Sequence, residues 1–227
     1  MNALIFGATG MIGQGVLGEC LRAPDVARVV TVGRRRTEVV HAKVREIVVA
    51  DLVVVEPDLA GADACFFCLG VSAAGMSEER YARLTYDLTL SVARTLVRLD
   101  PGMTFVYVSG MGTDSTERGR AMWARVKGRT ENALLALPFA AAYMFRPGLV
   151  QPLQGTQSRT GWYRAIYAVM TPVLPLLKRL FPNHVTTTEE IGRAMLAVAR
   201  RGYPTRVLES ADIGRLARAA GSAGAPA

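Results

Sequence analysis

Histidine is almost missing from this chain of 227 residues: only His41 and His184 occur, far apart, so a histidine-built metal site has no support and no metal is expected. Cysteine is scarce too, with three residues, two of them in the CxxC of Cys65-Phe66-Phe67-Cys68. That spacing invites a redox reading, but the segment reads as a buried strand. Positions three apart on a strand point to opposite faces and lie roughly 10 Å apart, whereas a disulfide needs Cα atoms within about 7 Å. Reduced, structural cysteines are the expectation. No basic or apolar leader precedes the apolar run that begins at Ala3, from which a cytoplasmic protein is expected. Internal repeats and low-complexity stretches are also absent, apart from small residues after Ala219. The formal charge of +8 lacks a basic tail interleaved with aromatics, and much of it is dispersed over helical segments (Arg94, Arg98, Arg125, Arg193, Arg200), so no nucleic-acid partner is expected.

What is present is concentrated at the amino end. An apolar run, Ala3 to Phe6, feeds Gly7-Ala8-Thr9-Gly10-Met11-Ile12-Gly13, and a helical pattern follows through Val16, Leu17 and Leu21. Strand, glycines and helix in that order meet the needs of a dinucleotide's pyrophosphate. Gly7 permits the tight turn, Gly10 lets backbone N–H groups approach the phosphates, and Gly13 lets helix and strand pack closely. The helix start then faces the anion with free N–H groups and the positive dipole end. The bland alternative is a glycine-rich turn that only joins strand to helix.

Further apolar runs recur at Arg28–Val32, Val44–Val49, Asp63–Leu69, Met103–Ser109, Ala140–Arg146 and Thr205–Leu208, with helical periods at Ser77–Leu99, Glu117–Leu137 and Thr188–Arg201. Such alternation predicts an α/β protein with a parallel sheet covered by helices on both faces. Residues 34–43 hardly accommodate a crossover helix. Thr186 or Thr187, followed three residues later by Glu189 or Glu190, forms a capping box, and Gly202 stands at the stop, so those glutamates read as helix caps rather than a catalytic acid pair.

After the second strand the chain reads Gly33-Arg34-Arg35-Arg36, with no acid where one would bond the ribose 2′-hydroxyl of NAD. Guanidinium forks match phosphate and stack on flat rings. Arg34 is placed to stack on adenine, and Arg35 or Arg36 to grip a 2′-phosphate, which predicts NADP in preference to NAD; the alternative is a basic surface turn with no ligand. Asp51, after the third strand, is placed to touch the adenine edge.

With these residues in hand, the chain resembles the atypical branch of the short-chain dehydrogenase/reductase superfamily. More narrowly, it resembles the NAD(P)-binding epimerase/dehydratase-like proteins related to the Tat-interacting oxidoreductases. The motifs are Gly7 to Gly13, Gly33-Arg34-Arg35, Asp51-Leu52, Cys68-Leu69-Gly70, Val108-Ser109, Lys127-Gly128, Arg146-Pro147-Gly148 and Val207-Leu208-Glu209. The resemblance implies a Rossmann-type doubly wound sheet of about seven strands over residues 1–215. It implies that Thr9, Met11 and Ile12 join the glycines at the cofactor, that the Cys68-Leu69-Gly70 turn passes it, that Lys127 reaches the nicotinamide ribose, and that Pro147-Gly148 line the nicotinamide end.

Reductases of this superfamily use a serine after the fifth strand and a Tyr-x-x-x-Lys pair on the next helix. Here the serine is Ser109, the lysine is Lys127, and the tyrosine position holds Trp123. An indole N–H donates a hydrogen bond but does not ionise usefully, so Trp123 cannot transfer the proton. Three explanations stay open. Another group, Lys127 itself or Tyr81 or Tyr86, transfers the proton; the protein binds NADP(H) as a regulator or scaffold without turnover; or Trp123 is a core aromatic in a stripe with Val126, Thr130 and Leu134. A nucleotide-sugar epimerase or dehydratase is a further reading.

The region 149–187 is the expected substrate side, a small apolar helical part of the domain. Within it, Trp162 to Phe181 is apolar with two interior prolines and flanking Arg164, Lys178 and Arg179. It reads as a cover over the cleft for a lipophilic small-molecule substrate, or else as a segment resting on a membrane surface through residues 161–181. A homodimer is expected from the superfamily, and residues 216–227 are expected to be a disordered tail.

Overall fold

The computed structural model describes residues 1–50, 59–152 and 184–222. The elements, in chain order, are β1 (Asn2–Phe6), α1 (Met11–Arg22), β2 (Arg28–Gly33), β3 (Val44–Val48), β4 (Ala64–Phe67), α2 (Glu78–Ala82), α3 (Leu88–Leu99), β5 (Thr104–Val108), α4 (Met122–Leu135), β6 (Ala141–Arg146), β7 (Leu149–Gln151), β8 (Val185–Thr187), α5 (Thr188–Arg201), β9 (Val207–Glu209) and α6 (Ser210–Ser222). Seven strands form one parallel sheet in the order β3-β2-β1-β4-β5-β6-β9, the Rossmann-type α/β sheet that the alternation predicts.

Alternation along β1 divides the core. Ala3 and Ile5 join Val16 and Leu17 of α1, Ile191 and Met195 of α5 and Ile213 of α6 on one face. Leu4 and Phe6 join Leu90 and Leu96 of α3 and Leu134 of α4 on the other. Each face thus buries its own apolar set, which fixes the strand register because a slip by one residue would exchange the two sets. On the second face Phe6, Phe67, Phe105 and Phe139 stack in line, with centroids 5.4, 5.9 and 5.1 Å apart.

Several boundaries differ from the expectations. The fourth strand ends at Phe67, so Cys68 and Leu69 lie beyond it. The helix expected from Glu117 begins at Met122, because Asp114 gathers the preceding segment into a turn in which Glu117 has φ +62°. The single helix expected over 77–99 carries a π turn at Arg83–Asp87 between α2 and α3. A separate parallel pair, β7 with β8, was not anticipated. The capping box falls on Thr187 and Glu190. The tail expected from residue 216 is corrected: α6 continues to Ser222 with Ala217 buried against the core, because Ile213 and Ala217 share one helix face. Residues 223–227, Asp51 and Leu52, and the proposed cover at 161–181 lie outside the described residues.

Candidate nucleotide and reaction site

The sheet order reverses between β1 and β4, from which chain connections run outward in opposite directions. Ligands of open parallel sheets bind at such a point, beyond the strand carboxyl ends. There Gly7, Thr9, Gly33, Arg34, Arg35, Thr37 and Leu69 line a crevice.

Backbone geometry builds its floor. Gly7 has φ +81°, and a Cβ there would lie 3.0 Å from the backbone of Cys68 and Leu69. A Cβ on Gly13 would come within 2.2 Å of the Gly7 carbonyl oxygen, so α1 can approach β1 this closely only with glycine. The Gly10 N–H donates to the Gly7 carbonyl at 2.9 Å, and Gln14 Nε2 donates to the Thr9 carbonyl at 3.0 Å. At the start of α1, Gly10 provides no side-chain cap, and the first turn, with partly exposed Met11 and Ile12, holds no acidic residue. An uncapped helix end without a carboxylate leaves its N–H groups and dipole for an incoming anion.

The three arginines separate in role. Arg34, Arg35 and Arg36 are all exposed, but only Arg34 and Arg35 line the crevice. Arg36 faces Glu46 of β3. Burial acts to raise the Glu46 carboxyl, but hydrogen bonds from the Thr37 hydroxyl and N–H, with the charge of Arg36, hold it below the ordinary range. Of the two residues considered for a phosphate, Arg35 is the one at the crevice.

Farther along the same sheet edge, β5 ends at Ser109, which is buried; its N–H donates to the Phe145 carbonyl at 2.8 Å. The Ser109 and Thr113 hydroxyls are 2.8 Å apart, and Thr113 donates to the Gly110 carbonyl at 2.7 Å. A hydroxyl has one proton. With Thr113's proton on Gly110, Ser109 is the donor in the pair and keeps its lone pairs free.

Lys127, on α4, donates from Nζ to the Ser109 carbonyl at 2.9 Å and stands 5.7 Å from the Tyr107 ring centroid. Burial pushes its ammonium down to about 8, against the opposing pull of Glu131. Trp123, one turn earlier, is partly exposed, whereas Val126, Thr130 and Leu134 are buried. The core-stripe expectation is therefore corrected for Trp123. Its ring edge packs at the Gly112 turn, where an added Cβ would lie 3.4 Å from the indole.

Tyr81 is 2 % exposed, in the core near Tyr107, and Tyr86 lies under the Arg129 guanidinium at 4.2 Å. Pro147 and Gly148 follow β6: the Pro147 carbonyl accepts from Met111 N–H at 3.0 Å, and Gly148 N–H donates to Ser210 Oγ at 2.5 Å. A Cβ at Gly148 would lie 2.7 Å from the His184 carbonyl oxygen. Cys68 donates through its backbone to the Phe6 carbonyl at 2.9 Å, and nothing lies within 4 Å of a Cβ built at Gly70. The three cysteines are free thiols, with Cys20 pushed up to about 12 by burial. Among the described residues no cluster of His, Cys, Asp and Glu could hold a metal, and no helix is long and apolar enough to cross a membrane.

Sequence reasoning missed Thr113 and the buried pair of Glu131 with Arg146. The pair had a signal: a glutamate four residues after the lysine on one helix, and a lone arginine ending a strand otherwise apolar.

No protein-family model matches the chain. Among curated proteins it is 30% identical over 155 residues to Protein FMP52-2, mitochondrial, of Scheffersomyces stipitis. It is 32% identical over 154 residues to Protein FMP52, mitochondrial, of Eremothecium gossypii. Each match spans 66% of this chain and 66% of the relative. Those names give a compartment and no activity, and they overturn the cytoplasmic expectation, because each relative is a mitochondrial protein. Among solved structures, MoeE5 in complex with UDP-glucose and NAD superposes with a TM-score of 0.65 at 18% identity, covering 97% of this chain and 82% of that one. UDP-glucuronic acid 4-epimerase from Bacillus cereus in complex with NAD gives 0.66 at 12% identity, over 92% and 77%. A short chain dehydrogenase family protein from Francisella tularensis gives 0.63 at 17%, over 92% and 95%. The chain thus has the fold of the short-chain dehydrogenase and nucleotide-sugar epimerase structures, the superfamily to which its motifs point, and it is related in sequence to the FMP52 proteins over about two thirds of their length.

Proposed function

We propose that the protein is an NADP(H)-dependent oxidoreductase of a carbonyl or hydroxyl compound, with Lys127 as the proton-handling group. One observation carries the reading: a glycine-walled, uncapped helix start with two arginines beside it stands on the same sheet edge as a half-buried lysine whose ammonium is held near 8. The residues fit a nicotinamide dinucleotide, since glycines let β1, the turn and α1 approach closely and the start of α1 carries neither a side-chain cap nor an acidic residue. Gly7, Thr9, Gly10, Met11, Ile12 and Gly13 would hold its pyrophosphate, Arg34 and Arg35 the adenosine end with its 2′-phosphate, and Leu69 and Gly70 would border it. Lys127, Pro147 and Gly148 would meet the nicotinamide end. The coenzyme, when bound, supplies or accepts the hydride.

The chain's own part is the proton. Reducing a carbonyl places a proton on its oxygen, and an ammonium with a pKa near 8 donates more readily than an ordinary lysine. Ser109, with its lone pairs free, accepts a hydrogen bond from a substrate hydroxyl. Trp123 contributes shape and one donor. Solved structures of the same fold contain NAD; NADP is favoured for this chain by the absence of an acid after β2 and by Arg35 at the crevice. A lipophilic substrate follows from the apolar sequence of 161–181.

A second reading, a coenzyme-binding regulator without turnover, is favoured by Trp123 at the tyrosine position and by the engaged proton of Ser109. A nucleotide-sugar epimerase or dehydratase suits the likeness to MoeE5 and to UDP-glucuronic acid 4-epimerase but meets the same missing tyrosine. The test is NADPH oxidation against ketones, quinones and nucleotide sugars, repeated with Lys127→Ala and Trp123→Tyr. Turnover lost in the lysine variant supports the enzyme. A silent wild type that turns over only as Trp123→Tyr makes the protein a regulator. No heat and no thermal protection with either coenzyme would overturn both.

A further inference from the structure

We propose that Arg146 is a positioning residue for the charge on Lys127: by occupying the Glu131 carboxylate it denies the lysine the anionic partner that its own helix offers. The inference rests on Lys127 being the proton-handling group. Lys127 and Glu131 are four apart on α4 and share a face, the arrangement in which a lysine and a glutamate ordinarily pair. Glu131 is 0% exposed, so an unpaired carboxylate there would be costly, and Lys127 is the cation one turn away on its own helix. The carboxylate goes elsewhere. Arg146, at the end of β6, donates from Nε to both Glu131 oxygens, at 3.0 and 3.2 Å, and adds a third bond from Nη2. The rest of the guanidinium reaches Glu209 of β9 at 3.2 Å and Ser115 Oγ.

A forked guanidinium matches a carboxylate better than an ammonium does, and it stays protonated at any working pH. Lys127 is left with a neutral carbonyl, that of Ser109, and the Tyr107 ring; among the described residues it makes no ion pair. The titratable and charged groups around it are Glu131 on its own helix, Tyr107 on β5 with Tyr81 of α2 behind it, and Arg146 and Glu209 across the pair. Among these only Glu131 pulls the lysine's proton affinity upward, and Arg146 offsets its charge. A structural staple between α4 and β6 would need the same bonds, but it would leave the lysine's titration unmoved when the bonds are cut.

The chain has three lysines, Lys43, Lys127 and Lys178, so its lysine titrations can be followed one by one. The full-length protein labelled with 13Cε-lysine, assigned with Lys43→Arg and Lys178→Arg, is titrated by NMR without coenzyme or substrate. Lys127 is expected to titrate well below the ordinary lysine range. In Arg146→Met its midpoint rises by about one pH unit or more, since the freed Glu131 turns to it. In Arg146→Met/Glu131→Gln the midpoint falls back. In Glu131→Gln alone, which keeps Arg146 and serves if Arg146→Met does not fold, the midpoint drops below the wild-type value. An unchanged midpoint in Arg146→Met, an equal rise in the double variant, or an unchanged midpoint in Glu131→Gln overturns the proposal. Because no turnover is involved, the expected midpoint shifts with failed catalysis would sink the enzymatic reading and leave only the electrostatic hold of Arg146 on Lys127.

Discussion

Two stretches of the sheet's carboxyl edge, the crevice beside β1 and the group of side chains after β5, are built on different principles. At the proposed phosphate end the features are those of backbone: Gly7, Gly10 and Gly13 let strand, turn and helix approach closely, and the start of α1 has no side-chain cap. At the reaction end, individual side chains carry the chemistry, and there the chain departs from the expected pattern, with Trp123 for a tyrosine and a serine whose proton is engaged by Thr113. Steric requirements of backbone admit almost no substitution, whereas a proton can be held by several side chains. A chain can therefore keep its binding end intact while its reaction end is rebuilt.

Gly13→Val tests the first half of that contrast most severely. Its Cβ would stand 2.2 Å from the Gly7 carbonyl oxygen, so α1 must move away from β1. Coenzyme binding is expected to disappear in calorimetry, and stability to fall by about 1–3 kcal/mol or more in a urea melt. Near-wild-type binding would mean that the crevice is not where the phosphates sit. Lys127→Ala probes the other half: turnover should drop by roughly 100-fold or more, well beyond whatever coenzyme affinity is lost with its contact to the nicotinamide end. Equal losses in both would make the lysine a binding group only.

The pH profile sharpens the same point. The protonated lysine serves carbonyl reduction, so that rate should fall as pH rises through about 8; alcohol oxidation needs the free amine and should rise through the same value. A profile flat from pH 6 to 9 in both directions, well within the span a group at about 8 would mark, would assign the proton to another group. Smaller effects belong to the adenosine end. Arg35→Ala should lower NADPH affinity by about tenfold and NADH affinity hardly at all, the scale of one charge-assisted contact. Arg36→Ala, at a residue facing Glu46, should alter neither by more than about twofold. Equal losses from the two arginines would erase the distinction drawn between them.

The legibility of the sequence followed the same divide. The β1-turn-α1 unit was readable because its demands are local: an apolar run, three spaced glycines and a 3.6-residue period lie within the first 22 residues. The sheet was readable because strands buried on both faces are written as apolar runs. Contacts between distant segments were not. Arg146 meets Glu131 and Glu209 only once β6, α4 and β9 are packed, and Thr113 reaches Ser109 through a turn set by Gly112 at φ +85°. The π turn at Arg83–Asp87 has no local marker, since its residues suit an ordinary helix, and the continuation of α6 to Ser222 depends on Ala217 finding the core.

One contact on the outer layer reaches further than its place suggests. Gly15 of α1 lies against Thr188, and Gly192 of α5 against Glu19, so closely that a Cβ at either glycine would come within 2.6 to 2.8 Å of its neighbour. The helix that follows the glycine turn therefore leans along its flank on a segment encoded more than 170 residues later. A fragment ending at residue 152 would contain every crevice-lining side chain and still lose the buttress that keeps them in register. Amide exchange should register the two helices opening together, as one cooperative unit.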